Sequence, residues 1–457
     1  MTSSLNIKRY TEYSLLVSIL CTIFALIIFK TEELSPVLLL FVAITPLIIY
    51  LGSQKKGAFL ILYLLLCITF LENNEGIEPI EIPFYFASCL LVGYAGLKII
   101  TGNIIIETTL DRLFLFLSVL IPFAVLYGIV NGSSPYTAMG EATNYFGVYL
   151  YFPVREHIKH KAFRKVVFWV LLVFMAFVAI RNLYFYREIL IQATLPWQAE
   201  NARVAANEFI LLFGCCLSVS FAAITKHPVK QIIFTGLFVI TLGMLILTQS
   251  RGYWIAFFMG LLLIFAVIHK RGKIKITYTA IILLTTVVTI ASIYFSGLFS
   301  TVMEGLANRF QSLASGKLDI SLLERYLESK TVLNLISFNP IAGYGFGYTY
   351  TKKILFFDHF IETSYVHNGY LAAWFKFGIM GLLTILSIWI LNIKYGIQVY
   401  RKSPTLSHKA VAITIAGTVF GLLFVNNTSP QVLTFESLLI VVLGSTFLSN
   451  QITELRP

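Results

Sequence analysis

Charge is scarce in this sequence. Only 12% of its 457 residues are Asp, Glu, Lys or Arg, whereas 58% are hydrophobic. Soluble domains carry roughly 25% charged residues, so this balance excludes a soluble globular chain. A mean hydropathy of +0.82 agrees, and a polytopic membrane protein is the class that remains. Cysteine is scarce too. Cys21, Cys67, Cys89, Cys215 and Cys216 all lie inside apolar runs, which leaves no spacing for a structural disulfide or a thiolate metal site. His157 and His160 fall in a basic loop and form no metal-binding constellation. No cleavable leader is apparent either, since "MTSSLNIKRYTEY" runs into an apolar stretch without a small-residue cleavage site. No internal repeat and no separate soluble domain is visible. Acidic residues are outnumbered, 22 against 34 basic, for a net charge of +12. In a membrane chain this excess reports loop orientation, not nucleic-acid binding.

What is abundant is apolar length. A span needs about 20 apolar residues, and about 14 candidates are present. They lie near 13–29, 36–51, 57–71, 82–100, 106–130, 135–153, 166–183, 208–225, 231–248, 253–268, 276–297, 367–391, 409–426 and 431–449. The segment at 135–153 carries Glu141 and Asn144 and also reads as interfacial. With the N-terminus inside, the loops "SQKKG", "REHIKHKAFRK", "KHPVK", "HKRGKIK" and "KYGIQVYRKSPTLSHK" all face the cytoplasm, and all are basic. The outward loops include the acidic "ENNEGIEPIE" and the neutral "NNTSPQ". This asymmetry predicts both termini in the cytoplasm.

Four regions follow. Residues 1–183 form N-terminal transmembrane helices. Residues 184–297 hold further helices and a first long outward loop. Residues 298–366 form a large outward loop with amphipathic helices, and 367–457 are the C-terminal transmembrane helices. Amphipathic stretches such as "TVMEGLANRFQSLA" and "SLLERYLESKTVLNLI" predict a helical cap lying against the membrane surface.

On this topology "LTQSRGYWIAFF" places Arg251 at the outer mouth between two spans, not in the hydrocarbon centre. The other polar residues near the outer boundaries are Arg203, Glu208, Arg309, Arg325, Lys352, Lys353, Asp358, His359, Glu362 and His367. Their sum is basic, which suits an anionic head group such as a phosphate or diphosphate. Arginine presents a planar fork to two phosphate oxygens. His367 stands at the start of a span, where a neutral imidazole can accept a proton from a hydroxyl. A cationic clamp and a general base together equip a site to transfer a group from a lipid diphosphate to a hydroxyl. Interfacial anchoring, helix capping and transport of an anion explain the same residues individually. The glycine-rich "AGYGFGY" at 342–348 is not a dinucleotide fingerprint, because Tyr348 stands where the last glycine belongs. It reads as a tight, backbone-driven turn.

Three ordered motifs resemble those of the O-antigen ligase and O-antigen polymerase superfamily. "LTQSRGYWIAFF" resembles its Ser-Arg-Gly hallmark at Ser250, Arg251 and Gly252. "RYLESKTVLNLISFNPIAGYGFGY" resembles a segment with an Arg, a later Pro and a Gly-x-Gly-x-Gly run, filled here by Arg325, Pro340, Gly343, Gly345 and Gly347. The family often has Trp four residues after that Arg; here it is Ser329. "HNGYLAAWFKFGIMG" resembles the histidine signature, with His367, Asn368, Gly378 and Gly381 in its places. A looser resemblance covers Arg203, as the family's outward Arg before a span. The pair Arg203 and Gly214 also fits an Arg-x10-Gly pattern of polymerases.

The resemblance implies an all-α polytopic membrane glycosyltransferase of C-type architecture, with no cofactor and no metal, in the bacterial inner membrane with its active site facing the periplasm. It implies a donor glycan on undecaprenyl diphosphate and an acceptor that is a growing glycan or lipid A-core. By resemblance, Arg251, Arg325 and Arg203 hold the diphosphate, and His367 activates the acceptor hydroxyl with inversion at the anomeric carbon. Membrane lipids and a chain-length regulator are the remaining candidate partners, and nucleic acid is not among them. About fourteen spans favour a polymerase of surface polysaccharide, whereas the histidine signature is framed around ligases. An exporter or flippase of lipid-linked glycan would scatter polar residues through many span interiors, and here the interiors are mostly apolar.

Overall fold

The computed structural model describes residues 56–70, 82–192, 203–204, 206–278, 320–354 and 359–456, together with 281, 285 and 289. The expected spans at 13–29 and 36–51, most of that at 276–297, the stretch around Arg309, and Asp358 lie outside the described residues.

The helices are α1 (Lys56–Phe70), α2 (Ile82–Ile100), α3 (Thr109–Val130), α4 (Pro135–Thr143), α5 (Tyr151–His157), α6 (Lys161–Gln192), α7 (Glu208–Ile224), α8 (Pro228–Leu247), α9 (Arg251–Val267), α10 (Ile320–Phe338), α11 (Gly369–Lys402), α12 (Leu406–Val425) and α13 (Phe435–Glu454). Among the described residues, seven helices are long and apolar enough to cross a membrane: α2, α3, α6, α8, α11, α12 and α13. Shorter apolar helices lie in α1, α7 and α9. The chain is a mostly helical, multi-pass membrane protein.

Two features depart from the expectations. The cap is not purely helical: β1 (Tyr350–Ile354) and β2 (His359–Thr363) form an antiparallel hairpin, with Lys352 opposite Ile361. The segment expected as one span at 135–153 is broken into α4, a 3-10 turn at Phe146–Leu150, and α5. It still runs back along α3. Tyr149 donates to the Ser118 carbonyl at 3.0 Å, and Tyr151 donates to Asp111 Oδ1 at 2.6 Å, near the start of α3. Glu141, near the other end of the segment, pairs with Lys376 of α11 at 2.8 Å. That charge pair explains how an acidic residue sits inside an otherwise apolar stretch.

The packing centre is formed by α7, α9, α11, α12 and α13. Small residues allow α9 and α12 to approach closely. A Cβ on Gly260 would stand 2.7 Å from the Gly417 carbonyl oxygen, and one on Gly421 2.6 Å from that of Ala256. Close backbone approach through small residues is how helices pack where the surrounding solvent is itself apolar. Helix α13 is buried along most of its length. Asn392 of α11 exchanges hydrogen bonds with Ser445 at 2.8 and 3.0 Å. At one end of the bundle, fully buried Arg155 binds Asp111, Glu107, Asn450 and Thr453 at 3.0–3.3 Å. This network ties α3, α5 and α13 together at the end opposite His367.

Candidate functional site

The site is assembled at the other end by one interlock. Helix α11 carries the histidine signature but is not continuous, because Gly378 has φ 69° and ψ −174°. Breaking a helix exposes backbone groups, which are costly to leave unpaired in an apolar surrounding. The glycine-rich loop pairs them. Tyr344 N donates to the Phe375 carbonyl at 2.7 Å, and Ile379 N donates to that of Pro340 at 3.1 Å. The Trp374 indole reaches the Pro340 carbonyl at 2.8 Å. On its other side the loop meets α3, where Phe346 N donates to the Ala124 carbonyl at 2.9 Å. Gly343, Gly345 and Gly347 all have φ between 71° and 81°, and Gly345 abuts the backbone of Gly128. Gly381 packs against Phe377 across the break. The signature glycines and Pro340 are thus two halves of one backbone joint, which the sequence presents as separate motifs.

The joint fixes the parts on either side of it. Upstream is α10, which carries Arg325 and Glu328. Three residues apart on a helix, they share a face. Downstream is His367, followed by Asn368, whose side chain caps α11 by accepting from Tyr370 N at 3.0 Å and Leu371 N at 3.1 Å. Glu328 connects the two. Its Oε1 accepts from His367 N at 2.6 Å, and its Oε2 lies 2.8 Å from His367 Nδ1. A carboxylate only accepts, so Nδ1 bears the hydrogen and Nε2 is the nitrogen that can take a proton. Lys352 of the hairpin donates to the same Glu328 Oε2. Burial pushes the Glu328 carboxyl upward, but hydrogen bonds from His367 and Lys352 outweigh it and hold the group below its ordinary range. The Tyr365 ring stands edge-on to His367 with centroids 4.9 Å apart. Its phenol is pushed up to about 12 by burial and by the charge of Glu328, so it is a neutral donor.

The arginines gather beside this group. Arg325 is held below its ordinary value, first by burial and then by the positive charges of Arg251 and Arg203, with Tyr365 and Glu328 opposing. The three guanidinium groups therefore share one electrostatic neighbourhood, and an anion among them would relieve their repulsion. Arg251 is the first residue of α9, directly after Ser250, which donates to Glu208 Oε1 at 2.8 Å. Gly252 abuts Thr428, and Gly369 abuts Asn426, whose carbonyl accepts from Gly369 N at 2.7 Å. The turn after α12 is thus the common support that brings the Ser-Arg-Gly segment beside the histidine. Of the other polar residues expected near the outer boundaries, Lys353, His359 and Glu362 lie on the hairpin strands; Lys353 packs over Phe360, and His359 is exposed.

Sequence reasoning missed Glu328, Tyr365 and the supporting turn. Only the three-residue spacing from Arg325 to Glu328 was a usable signal. Cys67, Cys89, Cys215 and Cys216 are free thiols, and the described residues hold no group of three or more His, Cys, Asp or Glu placed for a metal ion.

Residues 236–386 match the family model described as O-antigen ligase. This match supports the O-antigen ligase and polymerase superfamily for the chain. The matched segment contains Arg251, Arg325, Glu328 and His367 and excludes Arg203. No curated protein matches the chain. Members of that family are glycosyltransferase-like enzymes.

Proposed function

We propose that this protein transfers a glycan from undecaprenyl diphosphate to an acceptor hydroxyl at the periplasmic face of the inner membrane, most simply as a surface-polysaccharide polymerase of C-type architecture. The observation that carries the reading is the Glu328 bridge: one helix supplies both Arg325, which shares its neighbourhood with Arg251 and Arg203, and the carboxylate that holds His367. The donor diphosphate lies among Arg251, Arg325 and Arg203. The acceptor hydroxyl passes its proton to His367 Nε2 as its oxygen bonds to the anomeric carbon. The bond from that carbon to the diphosphate oxygen breaks, and the electron pair leaves on undecaprenyl diphosphate. Fixed positive charge at the leaving oxygen acts where charge develops in the transition state. A single displacement inverts the anomeric centre.

Ligation of finished polymer to lipid A-core is the second reading, favoured by the description of the matched family model. Glycolipid banding of a deletion strain separates the two. A polymerase leaves one repeat on the core and no polymer. A ligase leaves bare core with polymer on undecaprenyl diphosphate. Normal banding overturns both.

A further inference from the structure

Three polar side chains beside the arginines have no part in the chemistry above. Glu208 is the first residue of α7, Tyr253 the third of α9 and Glu436 the second of α13. Glu208 is tied to the Ser-Arg-Gly segment by the Ser250 hydroxyl at 2.8 Å. Tyr253 is only 2% exposed, yet its hydroxyl has no hydrogen-bond partner. The charges of Glu208 and Glu436 both bear on that hydroxyl, and the charge of Glu208 bears on Glu436. The three groups therefore form one cluster at the site end of the bundle.

The backbone around the cluster is set with unusual care. Among the described residues, two non-glycine positions have left-handed φ: Asn207 at 54° and Gln249 at 52°. They immediately precede Glu208 and Ser250, the two hydrogen-bonded residues. Such conformations are sparsely populated and persist where the surroundings enforce them.

An unpaired buried phenol is a vacancy for a hydrogen-bonding ligand, because native structures leave few such groups unsatisfied. The carboxyl oxygens beside it accept and a phenol both donates and accepts, so the cluster suits a partner that does both. A metal ion does not fit, since the described residues place no third His, Cys, Asp or Glu there. Vicinal sugar hydroxyls do fit, as they both donate and accept. In a glycosyl diphosphate the first sugar is one bond from the phosphate that the arginines would hold, and Ser250 joins Glu208 directly to Arg251. We propose that Glu208, Glu436 and Tyr253 form the subsite for the sugar ring attached directly to the donor diphosphate. This rests on the glycosyl-transfer reading above.

The test compares two lipids on the detergent-purified full chain: undecaprenyl diphosphate, and the lipid-linked glycan extracted from a strain lacking this protein. Wild type binds the glycan lipid more tightly, because only that lipid fills the subsite. Tyr253→Phe and Glu208→Gln each weaken the glycan lipid by about tenfold, the order expected for one lost hydrogen bond to a charged or buried partner, and leave undecaprenyl diphosphate unchanged. Tyr253→Phe removes only an unpaired hydroxyl, so a purely structural role predicts no loss of binding and a melting temperature no lower than wild type. Equal loss for both lipids, loss for neither, or a change confined to the acceptor KM overturns the subsite. Arg251→Ala serves as the control: if it keeps full affinity for undecaprenyl diphosphate, the diphosphate reading fails instead.

Discussion

Glu328 grips His367 at two points, accepting from its backbone N–H at 2.6 Å and from Nδ1 at 2.8 Å. This double contact sets both the position of the ring and its tautomer. A carboxylate in that place also stabilises the imidazolium formed when Nε2 takes a proton. Glu328→Gln keeps the shape and removes the charge. Its expected effect is a fall in kcat by roughly 10²- to 10⁴-fold, the range of a general base, with donor affinity retained. His367→Ala should fall as far with the same retention. Single-turnover transfer alongside equilibrium binding checks both variants, and full turnover in either one removes the base from the mechanism.

The same carboxylate makes a pH prediction. Its folded value is depressed, since hydrogen bonds from His367 and Lys352 outweigh burial. A depressed carboxyl contributes stability above its unfolded value of about 4.3, and loses it as pH falls through the lower folded value. The melting temperatures of wild type and Glu328→Gln should therefore differ at neutral pH. They should converge as pH falls below about 4. A constant gap across that window would contradict the assignment.

Arg325 is partly buried and shares its neighbourhood with the positive charges of Arg251 and Arg203. Replacing it with Ala should weaken undecaprenyl diphosphate on the order of 100-fold, the sum of two hydrogen bonds to a charged group at about 1.5 kcal/mol each. Arg325→Lys should recover only part of this, because an ammonium lacks the planar fork. Arg251→Ala should behave like Arg325→Ala. Isothermal titration with the diphosphate lipid measures each. If Arg325→Lys binds as tightly as wild type, bidentate recognition is excluded.

Arg251, Arg325 and His367 were legible because each is a polar residue at the edge of apolar surroundings, in an order a family motif repeats. Glu328 was not. On an amphipathic helix with Glu324 and Lys330 nearby, a glutamate reads as surface charge. Its burial depends on Lys352 and His367, which arrive from a hairpin and a later helix. The hairpin itself was invisible, since its strands are short and pair with nothing else among the described elements. Seven described helices long and apolar enough to cross a membrane were legible from length and hydropathy. The interfacial reading of 135–153 rested on Glu141 and Asn144, but the counter-charge that Lys376 supplies to Glu141 lies far along the chain and gave no local signal. The glycine-rich segment was readable as a turn, but not as the insert that fills the break at Gly378.

The pair of Glu141 and Lys376 makes its own prediction. Lys376 is 1% exposed and sits beside the broken stretch of α11, while Glu141 also accepts from Gly347 N at 2.8 Å. Removing Glu141 leaves the buried Lys376 charge without its partner, which typically costs about 3–5 kcal/mol. Glu141→Gln should therefore lower the unfolding midpoint sharply, and Lys376→Met less, because the remaining Glu141 is 24% exposed. The double variant should recover much of the loss, because no charge remains uncompensated. Thermal unfolding in detergent across the four proteins yields the coupling energy. Additive losses would show that the two residues act independently.

Gly378 allows the sharpest structural test. Its φ of 69° lies in the left-handed region, and a Cβ there would collide with the carbonyl of Ile341. Gly378→Ala therefore meets two obstacles. The backbone conformation, φ 69° with ψ −174°, is one that residues other than glycine hardly adopt, and it alone costs about 1–3 kcal/mol. The collision forces the Pro340–Gly347 loop out of the helix break and leaves the Phe375 carbonyl and the Ile379 N–H without partners. Because that loop joins α10 to the hairpin, its displacement should also separate Glu328 from His367. The expected outcome is a lowered melting temperature together with lost turnover. Gly96, with open space around it, should tolerate Ala and serves as the control. Melting and activity equal to wild type in Gly378→Ala would show that the break is not required for the site.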